Sequence, residues 1–152
     1  MLAWLARHLP FLRAAPGLPA LLDALLLGWT ALRRPARLAA MHRVEAAVLA
    51  WPDTATRAHR FGGAEFTLHT ARGRREIGHL HGHGLLDVPF PRAVRDALVA
   101  SGAARPHHIF PRSGWVSYFV RSPGDVPGAL ALLRRSYDRW QALDAPAPAD
   151  VL

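Results

Sequence analysis

The segment Arg75-Glu76-Ile77-Gly78-His79-Leu80-His81-Gly82-His83 sets three alternating histidines behind a glutamate, and a second pair, His107-His108, follows. Histidine titrates near neutrality and is a common metal ligand. Concentrating five of the nine histidines into two short stretches points to a site rather than to packing. On a strand, residues two apart share a face about 6.5–7 Å apart. The spacing therefore predicts Arg75, Ile77, His79, His81 and His83 on one face, with Glu76, Gly78 and Leu80 on the other. Two histidines so placed can share a metal or a ligand. Three cannot converge on a straight strand unless Gly82 and Gly84 turn the chain.

Three kinds of chemistry fit. In the preferred one no cofactor is needed: His79 or His81 deprotonates an acidic substrate, His108 assists, and Glu76 or Asp87 fixes the imidazole tautomer. In the second, His79 and His81 ligate a divalent metal, completed by His107, His108, Asp87 or Glu65. In the third, the imidazoles make hydrogen bonds under a loop, or bind a ligand without turnover. Around this centre, Arg60 and Arg75 are the candidate anion-stabilising groups, and His83, Asp87, His107 and Trp115 are candidate substrate contacts. Ser113 lacks a nucleophile-elbow context, and the Gly62-Gly63 pair lacks the helix and lysine of a phosphate loop. His8, His42 and His69 stand alone, with no role expected.

The elements that must position these residues follow from hydrophobic periodicity. Pro35 suits a first helical position, and Leu38, Met41, Val44, Val48 and Trp51 follow at spacings of three and four until Pro52. From Ala64 the period becomes two. Strands are expected at Ala64–Thr70, Arg74–His81, Leu85–Val88 and Trp115–Val120, the first two joined by Ala71-Arg72-Gly73. A helix around Val94, Ala97 and Leu98 ends at Gly102. Ser122-Pro123-Gly124-Asp125 reads as a capping box before a helix with the stripe Val126, Leu130, Leu133 and Tyr137. The expected fold is α+β: a small antiparallel sheet of about four strands with helices packed on one face.

Three regions are delimited. Residues 1–34 form an apolar helical segment, 35–141 the α+β domain, and 142–152 a Pro/Ala-rich flexible tail. The run 14–32 is nearly apolar but carries Asp23, Pro16 and Pro19, and Arg33, Arg34 and Arg37 follow it. That is marginal for a bilayer span of about twenty residues. An inner-membrane anchor, an interfacial helix, and a helix packed on the domain or on a second copy of the chain in a homodimer all fit. A signal peptide fits less well, because no small-x-small cleavage site precedes the folded part. A cytoplasmic protein, peripheral to or anchored at the inner membrane, is expected.

At 152 residues and 51% hydrophobic, the chain can bury a core. Its net charge is +8 and every basic residue is arginine. No basic helical stripe with interleaved aromatics is present, so no nucleic-acid partner is expected. The absence of cysteine excludes disulfides, thiolate metal sites and a cysteine nucleophile.

The segments His59-Arg60-Phe61-Gly62-Gly63-Ala64-Glu65-Phe66, Arg75 to His81, Pro106-His107-His108 and Ser113-Gly114-Trp115-Val116-Ser117 resemble the luciferase-domain family. That family comprises the fungal luciferases and many small bacterial proteins of unassigned function. The likeness runs from about Arg43 to Trp140 and is nearest to the bacterial branch, through Asp87-Val88-Pro89-Phe90-Pro91 and Leu132-Leu133-Arg134-Arg135-Ser136-Tyr137. It implies a small-molecule substrate and oxygenase-like chemistry. The fungal enzymes add dioxygen to a hydroxylated styryl-pyrone without a known cofactor, and they carry an amino-terminal membrane segment placed like residues 1–34. Arg75, Glu76, His79 and His81 match the shared motif, and His107 or His108 matches a later histidine. Asp87 stands where the fungal pattern has histidine, so light emission is not part of the expectation.

Overall fold

The computed structural model describes residues 17–145. The chain order is α1 (Leu18–Arg33), α2 (Pro35–Leu49), β1 (Thr54–Ala58), β2 (Ala64–Thr70), β3 (Gly73–Leu80), β4 (Leu85–Pro89), α3 (Arg92–Ala100), β5 (Arg105–Pro106), β6 (Trp115–Phe119), a 3-10 turn (Pro123–Asp125) and α4 (Val126–Asp144). The strands form one antiparallel sheet in the order β1-β2-β3-β4-β6-β5.

The α+β class holds, with a correction to the sheet: six strands, not about four. The two additional strands are short edges. β1 carries only threonine, alanine and arginine, and β5 is two residues, so neither presents an apolar alternation. The β2–β3 hairpin, α2 and α4 fall where periodicity puts them, and the Ser122–Asp125 capping box is formed on both sides. α4 continues through Asp144, into the stretch expected as tail, while the rest of that tail and the start of the apolar run lie outside the described residues.

The core lies between the sheet and helices α2 and α4. Phe66, Leu68, Leu80, Leu86, Val88 and Val116 from the sheet are buried with Val44, Val48, Ala129, Leu133 and Tyr137 from the helices. Gly78 permits the close approach of α4: a Cβ there would lie 2.8 Å from Leu133 Cδ2 and 3.0 Å from the Asp87 carbonyl oxygen. No helix among the described residues is long and apolar enough to cross a membrane. α1 has sixteen residues, roughly 24 Å at the helical rise, against about 30 Å of bilayer hydrocarbon.

Candidate functional site

The antiparallel register places Glu65 opposite His79, His79 opposite Asp87, Asp87 opposite Ser117, and Ser117 opposite Arg105. This row alternates with the core-facing positions, so it belongs to the sheet face away from α2 and α4. A bulge reshapes the parity expected for β3. Phe66 pairs with Gly78 and Thr67 with Glu76, leaving Ile77 as the extra residue. Glu76 is thereby brought to the histidine face and Arg75 to the helix face, the reverse of the regular alternation. Two contacts follow. Glu76 Oε1 lies 2.6 Å from His79 Nδ1. The Arg75 guanidinium lies over the Trp140 ring of α4, 5.3 Å from its centroid.

Asp87 is the centre of the arrangement. Its side chain is fully buried, and Ser117 Oγ donates a hydrogen bond to Oδ1. Oδ2 is 3.6 Å from His79 Nε2, 3.5 Å from His81 Nε2, 3.6 Å from His107 Nε2 and 3.6 Å from His108 Nδ1. Among the described residues it has no partner at hydrogen-bond geometry. The four nitrogens divide around it: His79 and His81 with Asp87 form one compact set of ligand atoms, and His107 and His108 with Asp87 form another. His59, Glu76 and His79 make a third.

Hydrogen bonds fix the tautomers. An ionised carboxylate only accepts, so His79 donates its Nδ1–H to Glu76; when the ring is neutral, as a metal ligand must be, Nε2 is the bare nitrogen, and it faces Asp87. His81 is held the same way: its Nδ1 lies 3.3 Å from Asp23 Oδ1, and Nε2 faces Asp87. His107 is opposite in sense. Its Nδ1 accepts the backbone N–H groups of Ile109 at 3.1 Å and Phe110 at 3.0 Å, so the neutral ring carries its proton on Nε2, toward Asp87. In their neutral forms His79 and His81 can therefore offer lone pairs to an ion beside Asp87. His107 offers a proton.

Electrostatics follow from the same contacts. Burial works against charge on His81, but Asp23 and Asp87 outweigh it and raise the imidazole to about 9. His79 is buried too, and Asp87 and Glu76 raise it above its ordinary value. Burial pushes His107 down to about 4, against the pull of Asp87. It lowers His59 to about 4, reinforced by His79, and His83 to about 4, reinforced by His81. Burial opposes the Asp87 charge, yet the imidazoles around it hold the carboxyl far below the usual carboxylate range.

The structure thus brings together Glu76, His79, His81, Asp87, His107 and His108. Trp115 joins them, its ring 5.3 Å from His79 and 6.2 Å from His107. His83 lies at the rim, its ring 5.9 Å from His81 and 5.5 Å from Phe119, and its carbonyl accepts from Arg37. Arg60 is exposed, folded over the Phe61 ring at 4.2 Å. Arg75 lines a hollow of ≈ 40 Å³ with Thr70 and Trp140, and a larger one of ≈ 360 Å³ lies against Asp53, His69 and Gln141. Neither touches the histidine cluster, whose rings meet around a carboxylate. The residues not anticipated are His59, Ser117 and Asp23. His59 stacks on His79 at 3.9 Å, and its place beside Arg60-Phe61 was the available signal. Ser117 carried none beyond its strand parity. Asp23 was visible as the one acid in an apolar run.

Comparison with known families bears on this segment directly. Residues 74–136 match the family model of the Luciferase domain. The matched stretch contains Glu76, His79, His81, Asp87, His107, His108, Trp115 and Ser117, whereas Asp23 and His59 lie before it. No curated protein and no solved structure matches the chain.

Proposed function

We propose that this luciferase-like chain is a metal-dependent small-molecule enzyme whose ion is held by His79 Nε2, His81 Nε2 and Asp87 Oδ2. The observation that carries the reading is the buried Asp87 Oδ2, placed 3.5–3.6 Å from two imidazole nitrogens and without a hydrogen-bond partner among the described residues. Adjacent ligand atoms around a first-row ion with bonds of about 2.1 Å stand about 3.0–3.4 Å apart. The separation is thus too wide for hydrogen bonds and close to a coordination edge. Both ligand imidazoles are backed by carboxylates on Nδ1, the arrangement that orients histidine ligands in metal proteins.

Two histidines and one carboxylate leave coordination positions open, a set suited to iron(II) and to dioxygen-dependent chemistry. An ion held by His79, His81 and Asp87 would supply a Lewis acid and a redox centre for an acidic enol or phenol with dioxygen. The chain's own groups do the rest. Glu76 and Asp23 hold the ligand tautomers, His107 Nε2–H faces Asp87, and Trp115 covers the rings. α1 adds a membrane-surface contact to the proposal, supported by its outward stripe of Leu21, Leu25, Trp29 and Leu32. One observation favours a second reading, acid–base work without metal: the 2.6 Å Glu76–His79 pair already has the form of a carboxylate-oriented base.

Elemental analysis of protein purified without an affinity tag separates the two. The metal reading expects one iron, manganese or zinc per chain, lost in the His79→Ala/His81→Ala variant. It also expects the iron(II) form to bind nitric oxide, a dioxygen stand-in, with a new paramagnetic signal. A chain that takes up none of these ions, freshly purified or on reconstitution, overturns it in favour of the metal-free base.

A further inference from the structure

We infer that Asp23, on the helix read from sequence as membrane-associated, is a positioning residue of the histidine centre. It fixes which nitrogen of His81 faces Asp87. This rests on the metal reading above for its consequence, though not for its geometry.

Asp23 is 7% exposed. Its two oxygens each accept the Gly82 backbone N–H at 3.0 Å, and Oδ1 lies 3.3 Å from His81 Nδ1. The bond to Gly82 pins the carboxylate, and the pinned carboxylate holds the imidazole. A neutral histidine can carry its proton on either ring nitrogen. Only the Nδ1–H form leaves Nε2 bare toward Asp87.

The surrounding backbone is cut to admit this contact. A Cβ on Gly62 would fall 2.2 Å from Asp23 Cβ, and one on Gly82 would fall 2.6 Å from the Asp23 carbonyl oxygen and 2.7 Å from Leu27 Cβ. Both loops that edge the centre, 59–63 and 81–84, therefore meet α1 through glycines. Gly62 also has a φ of 92°, which side chains rarely adopt. A side chain at either glycine would force α1 away from the site.

The test uses the full chain with cobalt(II) as the probe, followed by its visible absorption. Asp23→Asn keeps an acceptor for Gly82 and removes the charge, and Asp23→Leu removes both. Outer-sphere carboxylates typically change metal affinity by about 10–100-fold. Asp23→Asn should weaken cobalt binding within that range and shift its absorption bands, with an unchanged circular dichroism spectrum. Asp23→Glu should recover part of the loss. Wild-type affinity and spectrum in both Asn and Leu variants would overturn the inference.

If the wild type binds no cobalt, the metal reading fails and the inference is judged by nitrogen-15 shifts of His81, read at alkaline pH once those shifts themselves show the ring to be neutral. The proton should sit on Nδ1 in the wild type and move to Nε2 in Asp23→Leu. The same tautomer in both proteins would overturn it.

Discussion

Ser117 and Asp87 face each other across β6 and β4, and the serine hydroxyl donates to Oδ1 of the buried carboxylate. The same hydroxyl oxygen accepts the backbone N–H of His108 at 3.3 Å, so one side chain ties the second histidine segment to the central acid. With Oδ1 occupied, Oδ2 is aimed at the imidazoles. Ser117→Ala leaves a buried carboxylate oxygen without its donor, which costs about 1–3 kcal/mol. Urea unfolding should show that loss. Metal uptake should weaken by about tenfold as the carboxylate loses its fixed orientation. Unchanged values in both measurements would show that strand register alone positions Asp87.

The tautomers separate ligands from neighbours that lie at the same distance. His79, His81 and His107 each place Nε2 3.5–3.6 Å from Asp87 Oδ2, yet in the neutral rings only the first two have a bare nitrogen there. His79→Ala, His81→Ala and Asp87→Asn should each abolish stoichiometric metal. His107→Ala should retain the ion. Its loss falls on the loop instead, because the Ile109 and Phe110 N–H groups lose their acceptor. Elemental analysis and thermal unfolding of the four variants read both effects. Retention of metal in Asp87→Asn would remove the carboxylate from the ligand set.

Much of this was legible in the sequence, and the rest failed for identifiable reasons. The period of two in β2, the aromatic and β-branched residues of β6, and the three–four spacing in α2 and α4 are strong signals, so those elements fall where expected. Thr54–Ala58 has no apolar alternation to detect. The histidine segment was legible as a site because its residue types are unusual at that density. Its faces were not, because the bulge at Ile77 is a tertiary event that reverses the parity of β3 from Glu76 back toward Gly73 and sends Ile77 into the core instead of the histidine face. Asp23 reads as a blemish in an apolar helix until the hairpin turn 81–84 is brought beside it. That contact spans 59 positions of chain, which no local pattern encodes.

Acid should destabilise the metal-free protein well above the usual carboxylate range. His59, His83 and His107 are lowered to about 4 from an unfolded value of 6.5. Between those pH values the unfolded chain binds up to three more protons than the folded one, so stability falls as pH drops from about 6.5 to about 4. Asp87, also lowered, extends the loss below that window. His81 has the opposite sign. Raised to about 9, it stabilises fully below 6.5 and loses that contribution as pH rises through 9. The urea midpoint should therefore peak between these limits and fall steeply on the acid side. Substituting His107 by glutamine, which does not titrate, should shallow the acid limb. An acid limb that begins only near pH 4 would contradict the buried neutral imidazoles.

α1 presents two different surfaces, and the outward one makes its own prediction. Leu21, Leu25, Trp29 and Leu32 recur at spacings of three and four and are 58%, 63%, 57% and 74% exposed, while Asp23 and Thr30 are buried on the other side. Arg33 lies over the Trp29 ring at 4.9 Å, and Arg34 follows at the helix end. A helix too short to span, apolar on one face and basic at one end, suits the headgroup boundary of an anionic bilayer. The full chain should co-sediment with vesicles containing phosphatidylglycerol and release as salt is raised, with a blue shift of tryptophan emission. Leu25→Ser/Trp29→Ser should abolish that binding and leave metal content intact, because neither side chain supports the Asp23–Gly82 contact. If binding survives the double variant, or requires no anionic lipid, the stripe is not the membrane contact. A concentration-dependent dimer that dissociates in the same variant would instead assign the stripe to a second copy of the chain.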